Sequence, residues 1–370
     1  MTGWPFPAPE SAYWKVHMCK SRDFLCTILP PHILKKLAES EEHRERALHT
    51  IALTERARGR RSILGAQHTG VSAGMLRRTI YDEQNGENLP GKLVRSEGAP
   101  ASTDIAVNEA YDYSGKTYDF YQSIFDRNSV DNKGFRLDSS VHYSVQYDNA
   151  FWDGQQMIYG DGDEQLFNRF TISLDVIGHE LTHGVTQNTA SLEYSGQSGA
   201  LNESVSDLFG SMVKQWALAQ TVAQADWLIG AGLLTTQVKG VALRSMKDPG
   251  SAYDDPQLGK DPQPKHMRDY VKTSEDNGGV HINSGIPNYA FYLAATAIGG
   301  YAWEKTGKIW YETLTKRLTP TSDFQAAADG TASVATELFG ANSPEQKAVV
   351  DAWKKVGITA AGTKTFTAPA

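Results

Sequence analysis

Two histidines four residues apart frame the run His179-Glu180-Leu181-Thr182-His183. On an α-helix a step of four residues turns by about 40° net, so both imidazoles leave from one face and can meet a single zinc ion. Glu180, beside the first of them, reaches a water molecule on the open side, where a general base would stand. A third ligand is available in Leu201-Asn202-Glu203-Ser204-Val205-Ser206-Asp207, where Glu203 lies 20 residues beyond His183. Two imidazoles and one carboxylate leave a fourth position for water, as catalytic zinc requires. Asp207, one helical turn after Glu203, is expected to accept a hydrogen bond from the non-ligating nitrogen of a zinc histidine. A centre of this kind activates water against a carbonyl group.

Such side chains need helices to carry them. Leu174, Val176 and Ile177 anchor a helix over 174–189, a second is predicted over 201–220, and the glycine-containing loop 184–200 lets the two cross. Further helices are predicted over 285–298, 325–339 and 344–356, the last two separated by the break Gly340 to Pro344. Residues 70–170, rich in Tyr, Phe, Val and Thr with Gly and Asn-Gly punctuation, read as short strands and turns, with one helix from Tyr111 to Phe125. Near the start, Pro30-Pro31 opens a short helix through Ile33, Leu34 and Leu37 that continues into the charged run Glu39 to Arg46. The basic run Thr54 to Arg61 reads equally as a linker or processing site and as an ordinary surface turn. The small, polar residues after Val356 are expected to form a flexible tail.

Composition narrows the function. The chain has 370 residues and a net charge of −7, which argues against a nucleic-acid partner. Two cysteines, Cys19 and Cys26, exclude a disulfide scaffold and an all-cysteine zinc site. No stretch approaches the roughly 20 apolar residues of a membrane span, and a standard secretory signal is absent. The protein is therefore expected to be cytoplasmic, or secreted by an unconventional route. Residues 1–65 carry 11 Lys and Arg against 7 Asp and Glu, so a basic head faces an acidic remainder. This favours docking of the one on the other.

In order along the chain stand Asn149-Ala150-Phe151-Trp152, Tyr159-Gly160-Asp161-Gly162-Asp163, HELTH at 179–183, NESVSD at 202–207 and DNGGVHINSG at 276–285. With these motifs the chain resembles the thermolysin-like zinc metalloendopeptidases over about residues 70–355, most of all the protealysin-like precursors with a short propeptide. The resemblance implies an α+β fold: a β-rich N-terminal domain, a mainly α-helical C-terminal domain and a zinc site in the cleft between them. It divides the chain into a propeptide-like segment 1–65, a β-rich subdomain 66–200 that includes the HExxH helix, a helical subdomain 201–356 and the tail 357–370. It assigns one zinc ion to His179, His183 and Glu203, and the general base to Glu180. Asp207 stands behind a zinc histidine. His281, oriented by Asp276, and Tyr194 stabilise the oxyanion. Asn149, Ala150 and Arg244 bind the backbone of peptide and protein substrates. Phe167, Val176 and Leu243 line a pocket for a bulky apolar residue after the cut.

The pattern departs from the family at its calcium sites. Asp175 and Asp226 match calcium ligands, but Lys214 stands where the family has a glutamate and Leu228 replaces another acid, so none or one calcium is expected. Asp161, Asp163 and Glu164 could bind calcium separately, although a solvated turn is the preferred reading. The head, with Pro30, Pro31 and Leu34, resembles a propeptide that covers the cleft and is removed by a cut between His49 and Gly65. For Cys26 a buried apolar role is preferred over zinc binding. The competing functional class is a catalytically silent protein-binding or inhibitory module on the same scaffold. A serine hydrolase is disfavoured because no GxSxG elbow accompanies the histidines.

Overall fold

The computed structural model describes residues 25–64 and 76–361, with side chains 59–64 outside the description. Residues 362–370 of the expected tail, and the Gly65 end of the expected processing interval, lie outside the described residues. Six strands form the main sheet: β1 (Cys26–Thr27), β2 (Arg78–Asp82), β3 (Lys92–Ser96), β4 (Leu137–Val141), β5 (Ala150–Trp152) and β6 (Gln156–Tyr159). Their spatial order is β1-β5-β6-β4-β2-β3. The pairs β6/β4 and β4/β2 are parallel and the others antiparallel. Strand β1 comes from the basic head and places Cys26 opposite Trp152 and Thr27 opposite Phe151.

Ten α-helices lie among the described residues. Two belong to the head, α1 (Pro31–Leu37) and α2 (Arg44–Leu64), and α3 (Ile105–Phe125) packs on the sheet. Then follow α4 (Leu174–Gln187), α5 (Gly196–Ala217), α6 (Asp276–Asn283), α7 (Gly285–Ile298), α8 (Thr306–Lys316), α9 (Phe324–Phe339) and α10 (Pro344–Lys355). The fold is thus α+β, strand-rich in its first half and helical in its second. Among the described residues no helix is long and apolar enough to cross a membrane.

Several predicted elements shift. Helix α3 begins at Ile105 rather than Tyr111, because Asp104 caps it: its Oδ1 accepts from the backbone N–H of Ala106 at 2.8 Å. The run 54–61 lies inside α2, not in a linker or turn. The alanines and long charged side chains around Gly59 favour helix, and one glycine costs only about 1 kcal/mol. The charged run 39–46 is interrupted by turns between α1 and α2. Residues 357–361, expected in the flexible tail, pack against the body, with Ile358 and Ala360 buried. Helices α6 and α8 went unpredicted. In α6 the dihedrals of Asn277, Gly278 and Gly279 are left-handed, which hides the helical period.

The most extensive helix–helix contact joins α4 to α5. It is close because two glycines meet there. A Cβ built on Gly210 would lie 2.4 Å from the carbonyl oxygen of Asp175 and 3.0 Å from the amide nitrogen of His179, and one on Gly178 would lie 3.1 Å from the Cα of Gly210. These neighbours are backbone and cannot rotate away. Gly210→Ala is therefore expected to lower stability by about 3 kcal/mol in urea unfolding, the upper range for an overpacked core. A variant as stable as the parent would show that the two helices are free to separate.

Candidate metal centre and substrate groove

Helix α4 carries His179 and His183 on its buried face, and both rings are held through their Nδ1 atoms. His179 Nδ1 lies 2.8 Å from Asp207 Oδ1. His183 Nδ1 lies 2.9 Å from Asn202 Oδ1 and 3.0 Å from Ser206 Oγ. Since the Asp207 and Asn202 oxygens only accept, each Nδ1 carries the proton and each Nε2 is left with a lone pair. These two Nε2 atoms are 3.0 Å apart. Burial, reinforced by the neighbouring His179, pushes His183 down to about 3 despite the opposing charge of Glu203, so its ring is neutral, the form that binds a metal.

Glu203, on α5, is fully buried. Its Oε2 is 3.5 Å from His179 Nε2 and its Oε1 is 3.5 Å from His183 Nε2. Tyr194 donates a short hydrogen bond to Oε1, whereas Oε2 has no hydrogen-bond donor among the described residues. Burial alone would raise the Glu203 pKa, but the surrounding His281, His183, His179 and Arg244 outweigh it and hold the carboxyl below its ordinary value. Two imidazole lone pairs thus face the buried Glu203 carboxylate, one of its oxygens 3.5 Å from each nitrogen. The ligand edges of a tetrahedral zinc site with bonds of about 2.0–2.1 Å are roughly 3.3 Å long, so the 3.0 and 3.5 Å separations fit that ion. Cys26 stands close by: its sulfur, a ring nitrogen of His183 and a carboxylate oxygen of Glu203 all lie within 4.8 Å of one another, a group that does not include His179.

Behind this centre is a charged network. Arg244 grips Asp207 with two hydrogen bonds, Nε to Oδ2 and Nη2 to Oδ1, both 2.8 Å, and Asn288 Nδ2 donates to Oδ2 at 2.8 Å. Burial pushes Asp207 up, but Arg244 and His179 overcome it and the carboxyl stays ionised. Asn202, Ser206 and Asn288 were not singled out from the sequence. The first two lie within the NESVSD run itself, and their one- and four-residue offsets from Glu203 and Asn202 could have marked them.

Glu180 is also fully buried, and its Oε2 accepts from the backbone N–H of Trp152 at 3.1 Å. Across the cleft, His281 Nδ1 lies 2.6 Å from Asp276 Oδ1, and the backbone N–H of His281 donates to Asp276 Oδ2 at 2.9 Å. Burial disfavours the charged ring, but Asp276 and Glu203 prevail and raise His281 to about 9. Its Nε2 lies 3.2 Å from the Tyr194 hydroxyl.

Head residues 27–29 thread this cleft. The Nε2–H of His281 donates to the Thr27 carbonyl at 3.0 Å, and Arg244 Nη1 donates to the Ile28 carbonyl at 3.1 Å. The Ile28 N–H donates to the Ala150 carbonyl at 3.1 Å and the Leu29 N–H to Asn149 Oδ1 at 3.0 Å. Ile28 is fully buried in the main hydrophobic core, which also takes in Leu34, Phe167, Val176 and Leu243. Pro30 is buried and Pro31 partly so. Ion pairs fasten the head beyond the cleft: Lys35 to Glu275 at 3.0 Å, Arg46 to Asp148 at 3.4 Å and Arg46 to Asp163. Nothing in the sequence singled out Thr27 and Ile28.

The acids considered for calcium have other partners. Lys214 Nζ lies 2.6 Å from Asp175 Oδ2, 2.9 Å from Asp226 Oδ1 and 2.8 Å from the Leu228 carbonyl. Asp161 binds His142 at 2.8 Å. Asp163 is buried rather than solvated: beyond Arg46 it accepts from the backbone N–H groups of Gln165, Leu166 and Phe167. The backbone turns back on this carboxylate and shields it from water.

Residues 49–187 match the thermolysin metallopeptidase catalytic domain, and residues 190–358 match the thermolysin metallopeptidase alpha-helical domain. The chain is 53% identical over 342 residues to an extracellular metalloprotease of Pectobacterium carotovorum subsp. carotovorum, covering 92% of this chain and 98% of that one. It is 49% identical over 342 residues to protease PrtS of Photorhabdus sp. (strain Az29), covering 90% and 91%. The solved precursor of protealysin, a metalloproteinase from Serratia proteamaculans, superposes with a TM-score of 0.83 at 53% identity, over 90% of this chain and all of that one.

The network behind His179 yields a test. Asp207→Asn keeps the shape but weakens the charge-assisted bond to His179, and metal affinity is expected to fall by about 10- to 100-fold. Competition against a chromophoric chelator measures it, and unchanged affinity would mean that Asp207 does not tune His179.

Proposed function

The chain belongs to the thermolysin family of metallopeptidases, and from that membership we propose how its residues divide the work of a zinc-dependent endopeptidase made as a self-covered precursor. The convergence of two bare imidazole nitrogens with the Glu203 carboxylate carries this reading. Zinc held by His179, His183 and Glu203 supplies a Lewis acid that polarises the peptide carbonyl and makes water acidic enough to lose a proton near neutral pH.

The remaining work falls to the chain. Glu180, steadied by the Trp152 N–H, takes a proton from the attacking water and hands it to the departing amine. His281, kept cationic by Asp276, points its Nε2–H at the carbonyl oxygen where negative charge develops. Tyr194 stands beside it, its hydroxyl 3.2 Å from His281 Nε2 and bonded to Glu203 Oε1, and would supply a second donor to that carbonyl oxygen. Arg244 holds the carbonyl of the residue after the cut, while Asn149 and Ala150 pair with the peptide backbone as a sheet edge does. A pocket lined by Phe167, Val176 and Leu243, as the resemblance to the family implies, would favour Leu, Phe, Ile or Val at that substrate position. On this reading residues 27–29 occupy the groove as a substrate would, and the head inhibits until it is cut away.

At the Asp175 site the Lys214 ammonium takes the place of a metal ion. Burial would lower its pKa, but Asp175 and Asp226 hold it above the ordinary value, so it stays charged. We read this as a built-in cation and assign no calcium there.

Two experiments examine these assignments. Glu180→Gln, freed of residues 1–65 in trans by a second protease, is expected to keep one zinc per chain while peptide cleavage drops by about 10²- to 10⁴-fold. Atomic absorption and a quenched peptide read the two quantities, and undiminished turnover would remove Glu180 as the base. Lys214→Ala leaves Asp175 buried without its countercharge and should cost about 3–5 kcal/mol. Thermal melts of the variant should recover with added calcium while those of the parent do not respond. Equal insensitivity of both would refute the built-in cation.

A further inference from the structure

Cys26 is 5% exposed and lies in the head, yet its sulfur shares one small volume with ligand atoms of His183 and Glu203. It packs with Tyr194 and Val280 in one small buried cluster. Its position is not left to chance. Pairing of β1 with β5 sets Cys26 opposite Trp152, and the bonds at the Thr27, Ile28 and Leu29 backbones pin the register from the other side. Successive strand residues point to opposite faces, so a slip of one residue would turn the sulfur away.

A second observation points to a ligand at this place. The Glu203 side chain, whose carboxylate shares that volume, is fully buried, and its Oε2 has no hydrogen-bond donor among the described residues. Two imidazoles and a carboxylate leave one coordination position of a tetrahedral zinc ion to be filled, and a thiolate is among the softest and strongest ligands that can fill it.

We propose that in the precursor the Cys26 sulfur is the fourth ligand of the metal held by His179, His183 and Glu203. The proposal rests on the zinc reading above and deepens it. The step is a ligand exchange without electron transfer. The thiol gives its proton to solvent, a sulfur–metal bond forms, and the water that would otherwise occupy the position is released. When the head departs, the sulfur takes up a proton and water returns. This explains why a peptide lying in substrate register, with the Thr27 carbonyl on His281 and the Ile28 carbonyl on Arg244, persists in the groove uncut. Sulfur stands where the attacking water must be, so the head silences the chemistry as well as covering the cleft.

The test uses the full chain with Glu180→Gln, to keep the head attached, and Cys19→Ser, so that Cys26 is the single thiol. Loaded with cobalt(II), it should bind one ion per chain and show the near-ultraviolet sulfur-to-cobalt charge-transfer band, which a further Cys26→Ser change abolishes. Alkylation of Cys26 by iodoacetamide should be at least about tenfold slower with metal bound than after chelation, because a ligated thiolate is withheld from the reagent. One cobalt per chain with no such band, or a band that survives Cys26→Ser, would overturn the sulfur ligand and leave the zinc site standing. No cobalt bound at all would overturn both.

Discussion

The closeness of helices α4 and α5 is the constraint on which the rest depends. Glycines at 178 and 210 let the two backbones approach where any side chain would hold them apart. Only at that distance does a carboxylate on α5 come within 3.5 Å of two imidazoles on α4. The same approach buries Asp207 against His179, so the proton of that ring is fixed on Nδ1 and its lone pair faces inward. Burying so many ionisable groups would be unfavourable singly. Asp207 is tolerable because Arg244, His179 and Asn288 occupy its oxygens, and Arg244 because Asp207 takes two of its nitrogens. The ions are thus arranged in reciprocal pairs, and Glu203 Oε2, 3.5 Å from His281 Nε2, accepts no hydrogen bond among the described residues.

The sheet edge at β5 explains how one groove serves both a peptide and the head. An edge strand offers unpaired N–H and C=O groups, and any extended chain with the right side chains can add to it. Here β1 does so for two residues and no more, because Pro30 and Pro31 follow soon after. Proline has no N–H to continue a ladder, and its fixed φ suits the first turn of a helix, so the strand gives way directly to α1. The apolar residues Ile33, Leu34 and Leu37 then bury themselves in the same core as Ile28. A short hydrophobic graft of this kind needs the polar ties from Lys35 and Arg46 to fix its orientation.

Much of this was legible in the sequence wherever chemistry and local period agree. The four-residue spacing of His179 and His183 states a helix face, and the apolar residues before them state that the face is buried. Helices α4, α7, α9 and α10 were read with boundaries close to those observed, since each carries its own pattern. What escaped reading depends on pairs far apart in the chain. Asn288 reaching Asp207 leaves no local trace, whereas the Asp104 cap of α3, two residues from the N–H it accepts, is a local signal that went unread. Cys26 was read as a small buried hydrophobe, and burial is indeed its state. Its nearness to His183, 157 positions further on, could not be seen until strand β1 was paired.

Buried acids in this fold need a countercharge, and it is met in three different ways. Asp175, in the body of the protein, has Lys214 from a neighbouring helix, a cation that cannot diffuse away. Asp148 and Asp163 share the guanidinium of Arg46, which belongs to the head. Even with that help, burial and the neighbouring Asp163 push Asp148 up to about 8, so one arginine does not fully offset two acids. Glu203 is the remaining case: beside the cationic His281, whose Nε2 lies 3.5 Å from its Oε2, it faces the two imidazoles of α4, and on the zinc reading a cation from outside the chain. The order has a physical logic. A covalently tethered ammonium or guanidinium neutralises charge but cannot accept the lone pairs of nitrogen or sulfur, because it has no empty orbital to offer. Where only charge must be balanced, lysine or arginine suffices; where a carbonyl must be polarised and water activated, an exchangeable metal is required, and the fold reserves for it the one carboxylate flanked by bare imidazole nitrogens.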